Sequence, residues 1–275
     1  MFIGRNQIEY VLMNKDIPVL SFLCERNEFE EPTFQELVWY VSYRPIGYKS
    51  LPGFLERRKA PKHREHIQRL LERYGCDDLE GFLNVTHALS LNDTFWVKRQ
   101  DSNLQWNQVS LYQNEFDQLI SEAAFDGSAN SSELSTTSPE FGTDGNYAKC
   151  WIREDEDIFL YKTGSSRYEV EPLSEFLASQ LASILCPDYV DYDLGFYRGR
   201  LISKCRLFTS ERFGLATLDD AQARVDYLAG FDGTILYSGS YAIVGTTVVR
   251  TSHKFTDEQQ LLLTHDITKV MTIVD

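Results

Sequence analysis

The pattern that most restricts this chain lies between residues 148 and 207. Two apolar runs, "AKCWI" and "IFLYKTG", flank the acidic turn "REDED" and read as a hairpin of β-branched and aromatic residues. A helical segment follows, "EPLSEFLASQLASIL". In it Leu173, Phe176, Leu177, Leu181, Ile184 and Leu185 form one apolar stripe. Ala178 and Ala182 lie on the other side and let another part of the chain approach closely, so burial on more than one face is expected. Pro187 ends the helix. "YVDYDLGFYRGRLISKCRLF" then reads as a second hairpin turning at "YRGR", with Tyr189, Tyr192 and Tyr197 assigned to strand packing. Hairpin, helix, hairpin gives an antiparallel sheet with one helix, an α+β arrangement.

The N-terminal part is also mixed. Residues 8–24 read as two strands around Asn14, Lys15 and Asp16, with Pro18 suited to an edge strand. A helix is expected over 62–74, because Ile67, Leu70, Leu71 and Tyr74 share a face and Gly75 stands as its C-terminal cap. "DDLEGFLNVT" reads as a short helix with acidic residues in its first turn, and "SLNDTFWVKR" as a turn into a strand. A further helix is expected over 110–124. Residues 126–145 are dense in Gly, Ser, Thr, Asn and Asp, so they read as a loop and place a domain boundary near residue 125. The division is then 1–125, 126–215 and 216–275. Trp39, Trp96, Trp106 and Trp151 are core or interface anchors.

Charge and cysteine usage narrow the function classes. A net charge of −14 repels nucleic acid and anionic membrane as a whole. The cluster Arg57, Arg58, Lys59, Lys62, Arg64 and Arg69, with His63 and His66, leaves a DNA-binding module as an alternative, but a solvated helix surface is the preferred reading. The five cysteines are odd in number, far apart and without a CxxC pair, so neither a zinc site nor a disulfide framework is expected. No metal site of the protein's own is expected either. Reduced thiols, with no apolar membrane run and no signal peptide, point to the cytoplasm.

The segment before the first hairpin carries candidate chemistry. "GTDGNYAK" has Gly142 and Gly145, and glycines let successive backbone N–H groups face phosphate oxygens. Taken alone the loop is an ordinary hairpin connection. Lys162 closes an apolar strand, where a point cation can hold nucleotide phosphates. Such a lysine needs an orienting carboxylate on the next helix, and Glu175 is the candidate.

These words together carry a resemblance. From "ALSLNDTFWVK", through "SPEFGTDGNYAKCW", to "LISKCRLFTSERFGL", the chain closely resembles HipA-like serine/threonine kinases over about residues 1–215. The resemblance implies an N-terminal subdomain followed by a protein-kinase-like small lobe, with ATP and its Mg²⁺ as ligands. It assigns the phosphate-covering loop to residues 138–149: Ser138, Gly142, Thr143, Asp144, Gly145, Asn146 and Lys149. It assigns the phosphate lysine to Lys162, its helix partner to Glu175, and the adenine hinge to the stretch containing Lys204, Cys205 and Leu207. Autophosphorylation of loop hydroxyls in some members makes Ser135, Thr136, Thr137, Ser138 and Thr143 candidates.

The resemblance stops after Leu215. The large lobe should carry an Asp-Arg-His-x-x-Asn motif, yet no asparagine follows Asn146. His265-Asp266 has Met271 where the asparagine is needed, and Asp232-Gly233 reads as a turn. The remaining residues read as an atypical tail, a hairpin around "SGS" and a helix from about Thr256. The expectation is therefore a truncated kinase homologue with no catalytic residues, at most ATP-binding. The alternative is a non-catalytic binding subunit that docks on a separate kinase lobe or an antitoxin-like protein.

Overall fold

The computed structural model describes residues 7–128, 138–165, 167, 169–185, 189–212 and 214–215, together with the backbone of 242–244 and 247–249. The protein is a mixed α+β fold with two four-stranded antiparallel sheets.

The first sheet contains β1 (Ile8–Asn14), β2 (Ile17–Arg26), β3 (Pro32–Trp39) and β4 (Phe95–Arg99), in the order β3-β2-β1-β4. The β1–β2 hairpin turns at Lys15 and Asp16, as the sequence indicates. Pro18 is not on an edge strand, because β2 lies between β1 and β3. It is tolerated there because the β1–β2 register shifts between Leu12 and Met13, leaving Val19 of β2 as the extra residue, and β3 pairing reaches only as far as Leu20.

Five helices accompany this sheet, α1 (Leu51–Glu56), α2 (Ile67–Arg73), α3 (Leu79–Thr86), α4 (Trp106–Val109) and α5 (Gln118–Asp126), of which α1 packs on β3 and α3 on β4. Tyr10, Leu12, Phe22, Leu55, Ile67, Phe82 and Ile120 meet in one core. Val11, Met13, Trp96 and Trp106 point the other way, and share a second core with Trp151, Leu160, Tyr192 and Cys205 of the second sheet. Both faces of β1 are thus covered, which explains its unbroken apolar run.

Two helices begin later than the sequence indicates. α2 starts at Ile67 rather than residue 62, because His66 is held in the left-handed region at φ 66° and Arg64 N–H closes a turn onto the Pro61 carbonyl. α5 starts at Gln118 rather than residue 110. The Asp117 carboxylate accepts from the Leu119 and Ile120 amides and caps it there. Trp96, Trp106 and Trp151 are buried anchors. Trp39 is half-buried, with its ring edge-on to Tyr48 and beneath the Arg44 guanidinium.

The second sheet contains β5 (Lys149–Glu154), β6 (Asp157–Thr163), β7 (Tyr192–Tyr197) and β8 (Arg200–Arg206), in the order β5-β6-β8-β7. Helix α6 (Glu171–Leu185) lies against β6, β7 and β8. Both expected hairpins are present. The orientation of α6 is not the one its periodicity suggests. Leu173, Leu177, Leu181, Ile184 and Leu185 are exposed, Ile184 at 80%. The side carrying Glu175 and Ser179 turns to the sheet instead, where Ser179 Oγ accepts from the Tyr192 amide at 3.3 Å.

Strands β9 (Ala242–Val244) and β10 (Thr247–Val249) pair antiparallel. The expected turn at "SGS", the helix from Thr256, His265, Asp266, Met271, Asp232, Gly233, Pro187, and Ser135, Thr136 and Thr137 lie outside the described residues.

Candidate functional site

The strand register of the second sheet sets the site. Lys149 pairs with Lys162 across β5 and β6, and Lys162 pairs with Ser203 across β6 and β8. Because side chains alternate along a strand, these three share one face. The Lys162 ammonium donates to Glu175 Oε1 at 2.9 Å and to the Tyr192 hydroxyl at 3.1 Å. Glu175 Oε2 in turn accepts a short hydrogen bond from Ser203 Oγ. The expected Lys162–Glu175 pair is therefore formed, and both carboxylate oxygens are occupied. Burial alone would lower the Lys162 ammonium, but the Tyr192 and Glu175 oxygens outweigh it and hold it above the usual lysine value.

Lys149 is the second cation. It is buried, and its ammonium donates to the Asp144 carbonyl at 2.8 Å. Burial, with like charge from Lys162 and Arg64, lowers it to about 8. The two lysines thus face the same space with different proton affinities.

The loop above them is a structured turn. Residues Pro139–Gly142 form a 3₁₀ helix whose Pro139, Glu140 and Phe141 are buried. Ser138, just before it, is also buried, and its Oγ has no protein partner among the described residues. Thr143 Oγ1 donates to the Pro139 carbonyl at 2.7 Å and accepts from the Trp151 indole at 2.8 Å. Gly145 adopts φ +98°, and a Cβ there would stand 2.1 Å from Lys149 Nζ. The positive φ favours glycine here, and a side chain would also have to displace the lysine ammonium. Gly142 serves another purpose, since a Cβ would meet the Leu89 and Arg58 carbonyls at 2.9 and 3.0 Å. Asp144 and Asn146 are exposed, and Asn146 Oδ1 lies 2.8 Å from His63 Nε2.

The hinge residues separate. Cys205 is on the lysine face, buried beside Leu160 and Tyr192. Lys204 points to the opposite face, where it bonds Glu154 at 2.7 Å and covers the Phe159 ring. Leu207 is half-buried, and its amide donates to the Ile158 carbonyl at 2.7 Å.

The basic stretch is divided between interior and surface. Arg58 is buried, forked onto both Asp93 oxygens at 2.6 and 2.8 Å, and bonded to the Ala88 and Phe95 carbonyls. Lys59 reaches the Asp77 carbonyl, and Arg64 is also buried. Arg57, Lys62, His63 and Arg69 of this cluster are exposed, and His66 is half-buried.

Tyr192, Ser203, Arg64 and Glu140 acquire places here that no local pattern announces. Tyr192 and Ser203 arrive through strand register, and Arg64 and Glu140 through long-range packing. Loop amides are used within the fold: that of Thr143 donates to the Glu140 carbonyl, that of Gly145 to the Asp144 carboxylate and that of Ala148 to Glu65. Among the described residues no group of three or more His, Cys, Asp or Glu is placed to hold a metal ion. No described helix is long and apolar enough to cross a membrane. Comparison of the chain with protein-family models finds no match, and comparison with curated proteins finds none either.

Proposed function

We propose that this protein binds a nucleoside triphosphate, ATP by the HipA-like resemblance, between the loop 138–149 and the second sheet. The observation that carries this reading is the cross-strand placement of Lys149 and Lys162, with Lys162 oriented by Glu175. Two cations on one face, beneath a glycine loop, can take the phosphate oxygens. Glu175 and Tyr192 hold the Lys162 ammonium in place, while the Asp144 carbonyl holds that of Lys149. Bound ATP would supply a transferable phosphoryl group. No asparagine follows Asn146 to match the metal-binding residue of the resemblance, so transfer by this chain is expected to be poor.

The kinase-like small lobe is the architecture that best accounts for hairpin, helix and hairpin in this order. The buried, unpaired state of Cys24, Cys76, Cys150 and Cys205 suits a reducing compartment such as the cytoplasm.

The test has two arms, binding of an ATP analogue and transfer of radioactive phosphate, each with Lys162→Ala as control. Saturable Lys162-dependent binding with little transfer supports the reading. Robust Lys162-dependent transfer would overturn its non-catalytic half, and absence of binding would overturn the whole.

A second reading, a non-catalytic binding subunit, is favoured by the exposed leucine ridge of α6. Leu173, Leu177 and Leu181 recur every four residues, and Phe196 on the edge strand β7 is 79% exposed. An apolar helix on a separate kinase lobe is the occupant this ridge suits. The two readings are compatible, since the ridge lies away from the side of α6 that holds Glu175.

A further inference from the structure

We propose that Arg64 is the positioning residue of the 138–149 loop, and that the segment 60–65 sets the loop's binding shape. This rests on the nucleotide reading for its functional consequence, but its structural content stands by itself.

The segment grips the loop along its length. The Ala60 amide donates to the Phe141 carbonyl at 2.7 Å, and the Glu65 amide to the Asn146 carbonyl at 3.0 Å. Between them, Arg64 Nη1 donates to two loop carbonyls at once, Glu140 at 3.0 Å and Thr143 at 2.8 Å. His63 and the Glu65 carboxylate add contacts to Asn146 and to the Ala148 amide. Arg64 is 2% exposed, so its charge is not there to solvate a surface.

The loop's own anchor is Glu140. It is fully buried, and its Oε1 accepts from Ser121 Oγ of α5 at 2.8 Å and from the Trp151 amide of β5 at 3.0 Å. Buried groups hold their geometry because every loosened bond leaves a costly unpaired partner. Arg64 and Glu140 therefore fix the loop from two sides. One ties its carbonyls to the N-terminal segment, and the other ties its 3₁₀ turn to the second sheet. Thr143 is the common point, bonded to Arg64 through its carbonyl and to Trp151 through its hydroxyl. Asp144, whose carbonyl holds Lys149, comes next in the chain. Losing Arg64 frees the carbonyl next to the one that positions the lysine. In this account Arg64 acts through the loop without touching a nucleotide.

The experiment compares the full chain with Arg64→Met and Arg64→Lys. Hydrogen exchange is read on peptides covering 140–149 and, as an internal reference, on β6 and α6. Arg64→Met should speed exchange in 140–149 about tenfold or more while leaving β6 and α6 unchanged. Arg64→Lys, which keeps charge and a donor but loses the fixed fork, should fall between. Affinity for a fluorescent ATP analogue should drop about tenfold in Arg64→Met. Lys149→Ala should then cost little further in that background, although it is costly in the wild type.

Should Arg64→Met fail to fold, His63→Ala and Glu65→Ala remove the milder contacts of the same grip and should loosen the same peptides to a smaller degree. Unchanged exchange at 140–149 in the folded variants overturns the proposal. So does full additivity of Arg64→Met and Lys149→Ala. Failure of the wild type to bind nucleotide overturns the nucleotide reading instead, and the exchange data still decide for or against the grip.

Discussion

Lys149 stands directly opposite Lys162 across the β5–β6 ladder, so two like charges that an ordinary sheet would separate are held on one face. Lys162 is compensated by Glu175 and Tyr192, while among the described residues Lys149 has only a backbone carbonyl as hydrogen-bond acceptor. That asymmetry makes Lys149 the titrating member of the pair.

A pH dependence follows with a definite sign. With its ammonium lowered to about 8, free Lys149 is charged below that pH and neutral above it. Phosphate favours the charged form, so affinity should be flat below pH 8 and fall above it, at most about tenfold per pH unit for one proton. The groups around Lys149 that share in this balance are Lys162, Arg64, Asp144 and Glu175. Titrations with an ATP analogue between about pH 6.5 and 9.5 measure it. Lys149→Arg, which stays charged throughout, should flatten the profile.

Glu175→Gln tests the orienting role of the helix. It removes the charge that Lys162 faces and weakens the acceptor for Ser203. The pair is mostly buried, so a loss of about 1.5–3 kcal/mol in stability is expected from urea unfolding. Nucleotide affinity should fall as well, because the Lys162 ammonium loses its anchor.

Gly145→Ala should weaken the site from above. The backbone there is in a region that L-residues avoid, and the new methyl would push the Lys149 ammonium from its place. An expected cost of about 1–2 kcal/mol in stability accompanies weaker binding. Gly75→Ala provides the contrast. It shares the positive φ but meets no atom within 4 Å, so it should carry the backbone cost alone and leave binding intact.

The α6 ridge gives the opposite kind of prediction. Leu177→Asp and Leu181→Asp replace side chains that are 56% and 58% exposed. Thermal unfolding should change by no more than about 0.5 kcal/mol each. Binding to a partner lobe through this ridge should be lost. A loss of several kcal/mol would mean that the ridge is core after all.

Much of the architecture was legible because hairpins advertise themselves locally. "REDED" and "YRGR" stand between apolar strands, and both turn where expected. The existence of α6 was equally legible. Its orientation was not, because periodicity identifies a stripe without saying what the stripe faces. Here the polar side wins the sheet, since Lys162 needs Glu175 and the Tyr192 amide needs Ser179. The late start of α2 has a similar cause. Residues 60–65 have the composition of a helix surface, but their hydrogen bonds go to the loop 140–146 across the chain. Lys162 and Glu175 were candidates from the lysine that closes an apolar strand and the carboxylate on the next helix, and the family resemblance assigned them the same places. Tyr192, Ser203 and Arg64 join the site only through register and long-range contacts, which leave no trace in any short window.

The most direct measurement is an equilibrium titration of the wild-type chain with a fluorescent ATP analogue, repeated with Lys162→Met after circular dichroism has shown that variant to be folded. Saturable binding displaced by unlabelled ATP is expected, weakened at least about tenfold by Lys162→Met. Absence of saturable binding in the folded wild type, or equal affinity in the variant, would contradict it.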